Sequence, residues 1–178
     1  SMNSKNKLYE AKEFQNLREM IKNSAKRFAN HNAFIVKHKD KKEVTYQNIT
    51  YAQLDEEIDS LGTALMARGL KGKAIAVISK NRYEWIVTYL ATVNGTGIIV
   101  PLDKGLPPQE IESLLQRSKV EAVVFADEYC EVMKQIKESQ TTRVTEFICM
   151  DKAEGFIDLQ DLIAEGRKML QAGNTEFT

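Results

Sequence analysis

Three aspartates stand directly after short apolar runs, Asp103 after Ile98–Leu102, Asp127 after Ala122–Ala126 and Asp151 after Phe147–Met150, and Asn81 closes the first such run, Ala74–Ser79. If the runs are parallel strands, all four fall at the carboxyl edge of one sheet, where open α/β sheets bind ligands. The simpler reading is that they start loops or cap the next helix, as Asn81 and Asp127 are placed to do. A second acidic group, Asp55, Glu56, Glu57 and Asp59, has the composition of a metal site but no apolar pocket to hold it, so it reads as a solvated helix face. His31 and His38 lack an acidic or cysteine partner at ligand spacing and read as surface or turn residues. Cys130 and Cys149 are far apart in sequence, and disulfide, zinc and redox-motif readings all fail on that spacing. They read as reduced, partly buried thiols.

Several chemistries lack their motif. No GxGxxG follows the first strand, and neither GxxxxGK[ST] nor GxSxG occurs. No serine or cysteine nucleophile lies near a plausible base. The Gly95-Thr96-Gly97 turn is too short to cradle a phosphate and reads as a helix stop feeding a strand. Lys plus Arg equals Asp plus Glu at 25 each, which argues against nucleic acid as a partner. The apolar runs fall far short of a membrane span, and the first residues lack the apolar core of a signal peptide. These features point to a cytoplasmic setting with no transmembrane segment.

The elements that position these residues follow from periodicity. A length of 178 residues with 43% hydrophobic content is about one domain with a real core. Residues 1–10 read as a disordered tail. Phe14, Leu17, Ile21, Ala25 and Phe28 form a helical stripe opposite Arg18, Lys22, Lys26 and Arg27. Such a helix docks on its own domain or lies on an anionic membrane. Ala33–His38 and Val44–Ile49 form a hairpin around a Lys-Asp-Lys-Lys tip. Thr50 and Gln53 make a capping box, flanked by Ile49 and Leu54, and Leu54, Ile58, Leu61 and Leu65 share a face up to a stop at Gly69. Strands then alternate with helices over Arg82–Asn94, from Pro107 and Pro108 onward, over Glu128–Ser139 and over Leu159–Leu170. The fold class is therefore α/β, a three-layer, mostly parallel sheet flanked by helices with an N-terminal β-hairpin.

Asn81 to Asp103 is the most informative stretch. Asn81 and Glu84 are spaced to cap a helix reciprocally, with Trp85, Ile86, Tyr89, Leu90 and Val93 on its apolar face, Gly95 as the stop, and a strand ending in Pro101-Leu102-Asp103. The segment resembles the adenylate-forming acyl-CoA ligase family, in which an Asn-x-x-Glu-Trp helix leads into a Gly-x-x-x-Val-Pro-Leu strand. Ile49–Leu54 resembles that family's early TY-x-x-L helix start, Lys73–Val77 its first parallel strand, and Ile111–Phe125, with Ser118, its next helix and strand. Gly155–Leu170 looks most like the long-chain branch.

The resemblance spans roughly residues 14–172 and implies a partial large domain, with 11–178 as its N-terminal part, truncated before the phosphate loop. It implies that the parent turns a fatty acid and ATP into acyl-adenylate and pyrophosphate, and that CoA then displaces AMP. ATP, Mg²⁺ and CoA belong to that parent. The Ser/Thr/Gly-rich loop, lysine, metal-binding acid and adenine-site glutamate of the chemistry have no counterpart here, so no catalytic residue carries over and the 178 residues are expected to be inactive alone, with no cofactor of their own. Two CoA positions carry over from the acetyl-CoA branch: Gly105 after the Val-Pro-Leu-like strand, and Lys134. Glu131 occupies the other basic position and departs in charge. An uncovered sheet edge would let the chain self-associate. The rival reading is a non-catalytic α/β module that docks a partner or carrier. A flavodoxin-like nucleotide or flavin binder is disfavoured by the missing phosphate loop.

Overall fold

The computed structural model describes residues 17–178, so the expected tail and Phe14 lie outside the described residues. Internal contacts group the chain into residues 1–57 and residues 58–178.

In the first unit, helix α1 covers 17–27. Ile21 is buried on it as expected, whereas Phe28 falls just past its end, is exposed, and leans on the His31 ring at 5.3 Å. Strands β1 (Asn32–Asp40) and β2 (Glu43–Thr50) pair antiparallel. The turn is tighter than the expected four-residue tip: Asp40 faces Glu43 across Lys41 and Lys42, and Lys41 takes the left-handed φ of 54°. His38 Nε2 meets Gln47 Oε1 at 3.0 Å across the strands, consistent with a surface histidine. Helix α2 (Tyr51–Ala67) starts with the expected capping box. The Gln53 amide donates to Thr50 Oγ1 at 3.2 Å, and the Thr50 amide donates to Gln53 Oε1 at 2.9 Å. The acidic face differs from expectation. Asp55, Glu56, Glu57 and Asp59 are only half-exposed, and Asp55 pairs with Lys22 at 2.7 Å.

In the second unit, Ile58, Leu61 and Leu65 of α2 are buried, as their spacing requires. The helix ends in a Schellman motif: Leu70 N–H donates to Leu65 O and Gly69 N–H to Met66 O, with Gly69 at φ 82°. The five-stranded parallel sheet follows, with β3 (Ala74–Ile78), β4 (Ile98–Pro101), β5 (Ala122–Phe125), β6 (Glu146–Cys149) and β7 (Ile157–Asp158) in the order β4-β3-β5-β6-β7. Every residue of β5, and Ile75 to Ile78 of β3, is fully buried. That is why these strands read as continuous apolar runs rather than alternating ones. The two-residue β7 was not expected. It pairs Ile157 with Ile148 and Asp158 with Cys149, too short a segment to leave a periodicity.

Between the strands run α3 (Tyr83–Ala91), α4 (Pro108–Arg117), α5 (Cys130–Ser139) and α6 (Leu159–Gln171). Helix α3 corrects two expectations, its start and its buried face. It begins after Arg82, not Asn81, and no side chain caps it, because the guanidinium at the cap position has no acceptor to offer; its Nε instead donates to the Glu84 carboxylate at 2.9 Å. Its buried residues are Tyr83, Val87, Thr88, Leu90 and Ala91, while Trp85, Ile86 and Tyr89 are half-exposed. Trp85 and Tyr89 stack on each other, ring centroids 5.3 Å apart. Past Ala91 the chain makes one wider turn, with Gly97 N–H bonded to Thr92 O, and the helical path breaks at the expected stop, Gly95, whose φ is 153°. Gly97 is required for packing, since a Cβ there would sit 2.1 Å from the Lys73 carbonyl oxygen. In α4 only Pro108 is inside the first turn, and Pro107 occupies the cap position. Helix α5 is preceded by a 3₁₀ turn over Asp127–Tyr129. Helix α6 is capped by Asp158, which accepts from the Gln160 amide at 2.8 Å, and its Gly166 lies against the Ser60 carbonyl of α2.

Candidate functional site at the carboxyl edge

Strand β3 connects outward to β4 on one side and its neighbour β5 connects to β6 on the other, so the loops after β3 and β5 diverge. In open sheets this switch point is where ligands are held. Three of the loops there are tied together by one carboxylate. Asp151, after β6, accepts from Arg82 Nη1 at 3.0 Å and from Nη2 at 2.9 Å. It also accepts from the backbone N–H of Asp127, after β5, at 3.0 Å. Arg82, after β3, uses its remaining Nε for Glu84. The fourth loop is joined separately, with Tyr129 Oη donating to the Lys104 carbonyl at 2.7 Å.

The electrostatics follow from this geometry. Burial alone would raise the Asp151 carboxyl, but the Arg82 hydrogen bonds and the Asp127 amide outweigh it and hold the group below its ordinary value. Burial works against the Arg82 charge, yet Asp151 and Glu84 raise its pKa further. Burial, aided by the Glu128 charge, pushes the Tyr129 phenol up. Arg82 thus spends its bidentate face and its Nε on the protein's own carboxylates, and the arrangement is a brace between loops.

Of the four expected edge residues, the structure brings Asp127 and Asp151 together. Asp127 contributes its backbone N–H and does not cap the following helix with its side chain, because the 3₁₀ turn starts after Ala126. Asn81 is exposed and outside α3, and Asp103 is exposed in the loop after β4. Sequence reasoning missed Arg82 and Tyr129. Arg82 reads as an ordinary helix-start residue, and no local period reports a partner 69 positions away.

The two cysteines also converge. Cys130 Sγ and Cys149 Sγ lie 3.9 Å apart. The sequence spacing argument against pairing fails because β5 and β6 are adjacent parallel strands, which puts the start of α5 beside the end of β6. Cys149 is buried and Cys130 half-exposed, as expected of core-edge thiols. Burial pushes the Cys149 thiol up to about 12, and it also raises Cys130.

Gly105 and Lys134 are both exposed. A Cβ at Gly105 would meet nothing within 4 Å. Gly105 follows Lys104, whose carbonyl is bonded to Tyr129 at the base of α5, the helix that carries Lys134. Among the described residues no group of three His, Cys, Asp or Glu side chains could hold a metal ion, and no helix is long and apolar enough to cross a membrane.

The sequence profile described as "AMP-binding enzyme" matches residues 21–170. The mitochondrial medium-chain acyl-CoA ligase ACSF2 of Homo sapiens is 30% identical over 124 residues, which cover 66% of this chain and 19% of the human protein. The chain therefore spans about a fifth of that relative's length. Two solved structures share the fold. A long-chain-fatty-acid-CoA ligase from Archaeoglobus fulgidus matches with a TM-score of 0.70 at 20% identity, over 84% of this chain and 30% of that one. An anthranilate CoA ligase bound to anthranoyl-AMP matches with a TM-score of 0.68 at 18% identity, over 83% and 26% respectively.

Proposed function

The chain belongs to the AMP-binding enzyme family, and from that premise we propose that it is the N-terminal portion of the large domain of an AMP-forming acyl-CoA ligase acting on long-chain fatty acids in the cytoplasm. The observation that carries the reading is the profile match across 21–170, over the element order that the fold displays. The proposed reaction joins a carboxylate to ATP with release of pyrophosphate, and CoA then displaces AMP. In this reading the 178 residues supply the scaffold. Arg82, Asp151 and the Asp127 amide fix the loops after β3, β5 and β6, against which the nucleotide-handling parts are built. In this reading Mg²⁺ comes with the ATP of the longer protein, held by its phosphates and one or two carboxylates.

Gly105 and Lys134 are proposed to face the CoA nucleotide. The glycine leaves open space, and the exposed ammonium is a point charge suited to phosphate. Self-association is part of the proposal. Strand β4 ends the sheet with Ile98 62% exposed, and bare edges pair. Light scattering is expected to show concentration-dependent dimers, and a strictly monomeric chain would remove this element.

The test of function is acyl-CoA synthesis by the protein extended through the downstream coding sequence. Long-chain fatty acids are expected to be the best substrates, and Lys134→Ala is expected to raise KM for CoA while sparing adenylate formation. Preference for medium-chain acids would move the substrate assignment toward that of the human relative. Absence of adenylate with every carboxylate would overturn the ligase reading in favour of a docking module. Fractionation of the source cells tests the cytoplasmic setting.

A further inference from the structure

We propose that Cys130 and Cys149 are a modification site: a hydroperoxide converts the two thiols into an intramolecular disulfide that ties the start of α5 to the end of β6. The pair is made by topology. Phe125 of β5 lies in register with Cys149 of β6, and the chain leaving β5 reaches Cys130 within one 3₁₀ turn. The sulfurs stand 3.9 Å apart. A disulfide needs about 2.05 Å, so they must close by roughly 2 Å, within reach of a side-chain rotation. Cys130, half-exposed at the first position of α5, has room to make it, whereas Cys149 is fully enclosed. A metal reading of the same pair fails for want of a third ligand among the described residues.

The asymmetry assigns the roles. Cys149 stays protonated at neutral pH and can donate its S–H to the Cys130 sulfur, which favours thiolate at Cys130 against burial and the charges of Asp127 and Asp151. The Cys130 thiolate attacks the peroxide. With hydrogen peroxide, an S–O bond forms, the O–O bond breaks and hydroxide leaves, becoming water with the proton that the Cys130 thiol released, so that sulfur loses two electrons and the peroxide gains them. The Cys149 sulfur then attacks the Cys130 sulfenic acid. The S–S bond forms, the S–O bond breaks, and the departing hydroxide leaves as water with the Cys149 proton. Because burial holds both thiols up, oxidation is slow compared with a free thiol of ordinary pKa.

The test treats the folded 178-residue chain with hydrogen peroxide, then denatures it in excess alkylating reagent and reads it by mass spectrometry. The expected product is a monomer that has lost two hydrogens, takes up no alkyl group, yields a peptide joining positions 130 and 149, and regains both thiols with dithiothreitol. Cys149→Ser is expected to leave a sulfenic acid on Cys130 that dimedone traps. Cys130→Ser is expected to leave Cys149 as an alkylatable thiol, and circular dichroism checks that each variant is folded. Should the Cys149 variant fail to fold, the wild-type cross-link and the Cys130 variant decide the matter. Full alkylation of both cysteines after peroxide, a disulfide between two copies, or a sulfinic acid on Cys130 without a cross-link would overturn the proposal.

Discussion

The two ends of the parallel sheet are built by different means. At the amino end the backbone packs on itself. Around β3, Ile98 N–H bonds the Lys73 carbonyl, Glu121 N–H bonds the Ala74 carbonyl, Gly97 leaves no room for a side chain, and the Lys73–Glu121 ion pair is long, at 3.6 Å, and half-exposed; the charged pair at this end sits at the start of β6, where Arg68 donates to the Glu146 carboxylate at 3.1 Å. At the carboxyl end side chains hold the loops. Arg82, Asp151 and the Asp127 amide form one charged brace, Tyr129 reaches Lys104, and Cys130 meets Cys149. The contrast teaches that around β3 the amino end rests on close backbone packing, while the polar groups at the edge where α/β folds hold ligands are spent on fixing loops.

The contrast can be broken at either end, and the largest effect is expected from the amino end. Gly97→Ala drives a methyl into the Lys73 carbonyl, and backbone cannot step aside as a flexible side chain can. A loss of about 3 kcal/mol in urea unfolding is expected, the upper range for overpacking. A loss under about 1 kcal/mol would show that the close approach is not rigid.

At the other end, Asp151→Ala removes the partner of a half-buried guanidinium and of an amide. Charge-assisted hydrogen bonds to such groups contribute about 1.5–3 kcal/mol, and partial exposure of both partners reduces this to about 2. The pH dependence has a definite sign. The Asp151 carboxyl is held below its unfolded value, so its stabilisation is present in full above the ordinary carboxylate range and is lost as pH falls through the lowered folded value. Wild type is expected to lose this increment on acidification, and Asp151→Asn to lack it. Parallel acid-unfolding curves for the two would contradict the brace.

Trp85→Ala sharpens the comparison from α3. A core tryptophan costs about 3–5 kcal/mol to truncate. Trp85 is half-exposed and stacked on Tyr89, so about 1–2 kcal/mol is expected, from stacking and partial burial. The smallest effect belongs to Lys73→Ala, within about 0.5 kcal/mol, because its ion pair is exposed. A larger loss would mean that the packing beside β3 also depends on charge.

Which parts were legible in the sequence follows from the range of the forces involved. The Thr50–Gln53 box, the Gly69 stop, the buried stripe of α2 and the strand–helix alternation are local, and each was readable. The face of α3 was not. Trp85 and Tyr89 satisfy a helical period, but they stack on each other while smaller Val87, Thr88 and Ala91 meet the interior. The edge aspartates were located, and their partners were not, since the Arg82–Asp151 and Cys130–Cys149 pairs depend on the order β3-β5-β6, which no local pattern encodes. The family resemblance, carried by ordered motifs, was readable and stands with the match over 21–170.

The central claim is that these residues form a scaffold whose carboxyl edge is occupied by its own side chains. Calorimetric titration of ATP into the 178-residue chain, with pyrophosphate release measured in parallel against a fatty acid, tests it most directly. The account predicts no ATP binding tighter than about millimolar, the level of weak contacts, and pyrophosphate at background. Micromolar ATP affinity with fatty-acid-dependent pyrophosphate release would contradict it.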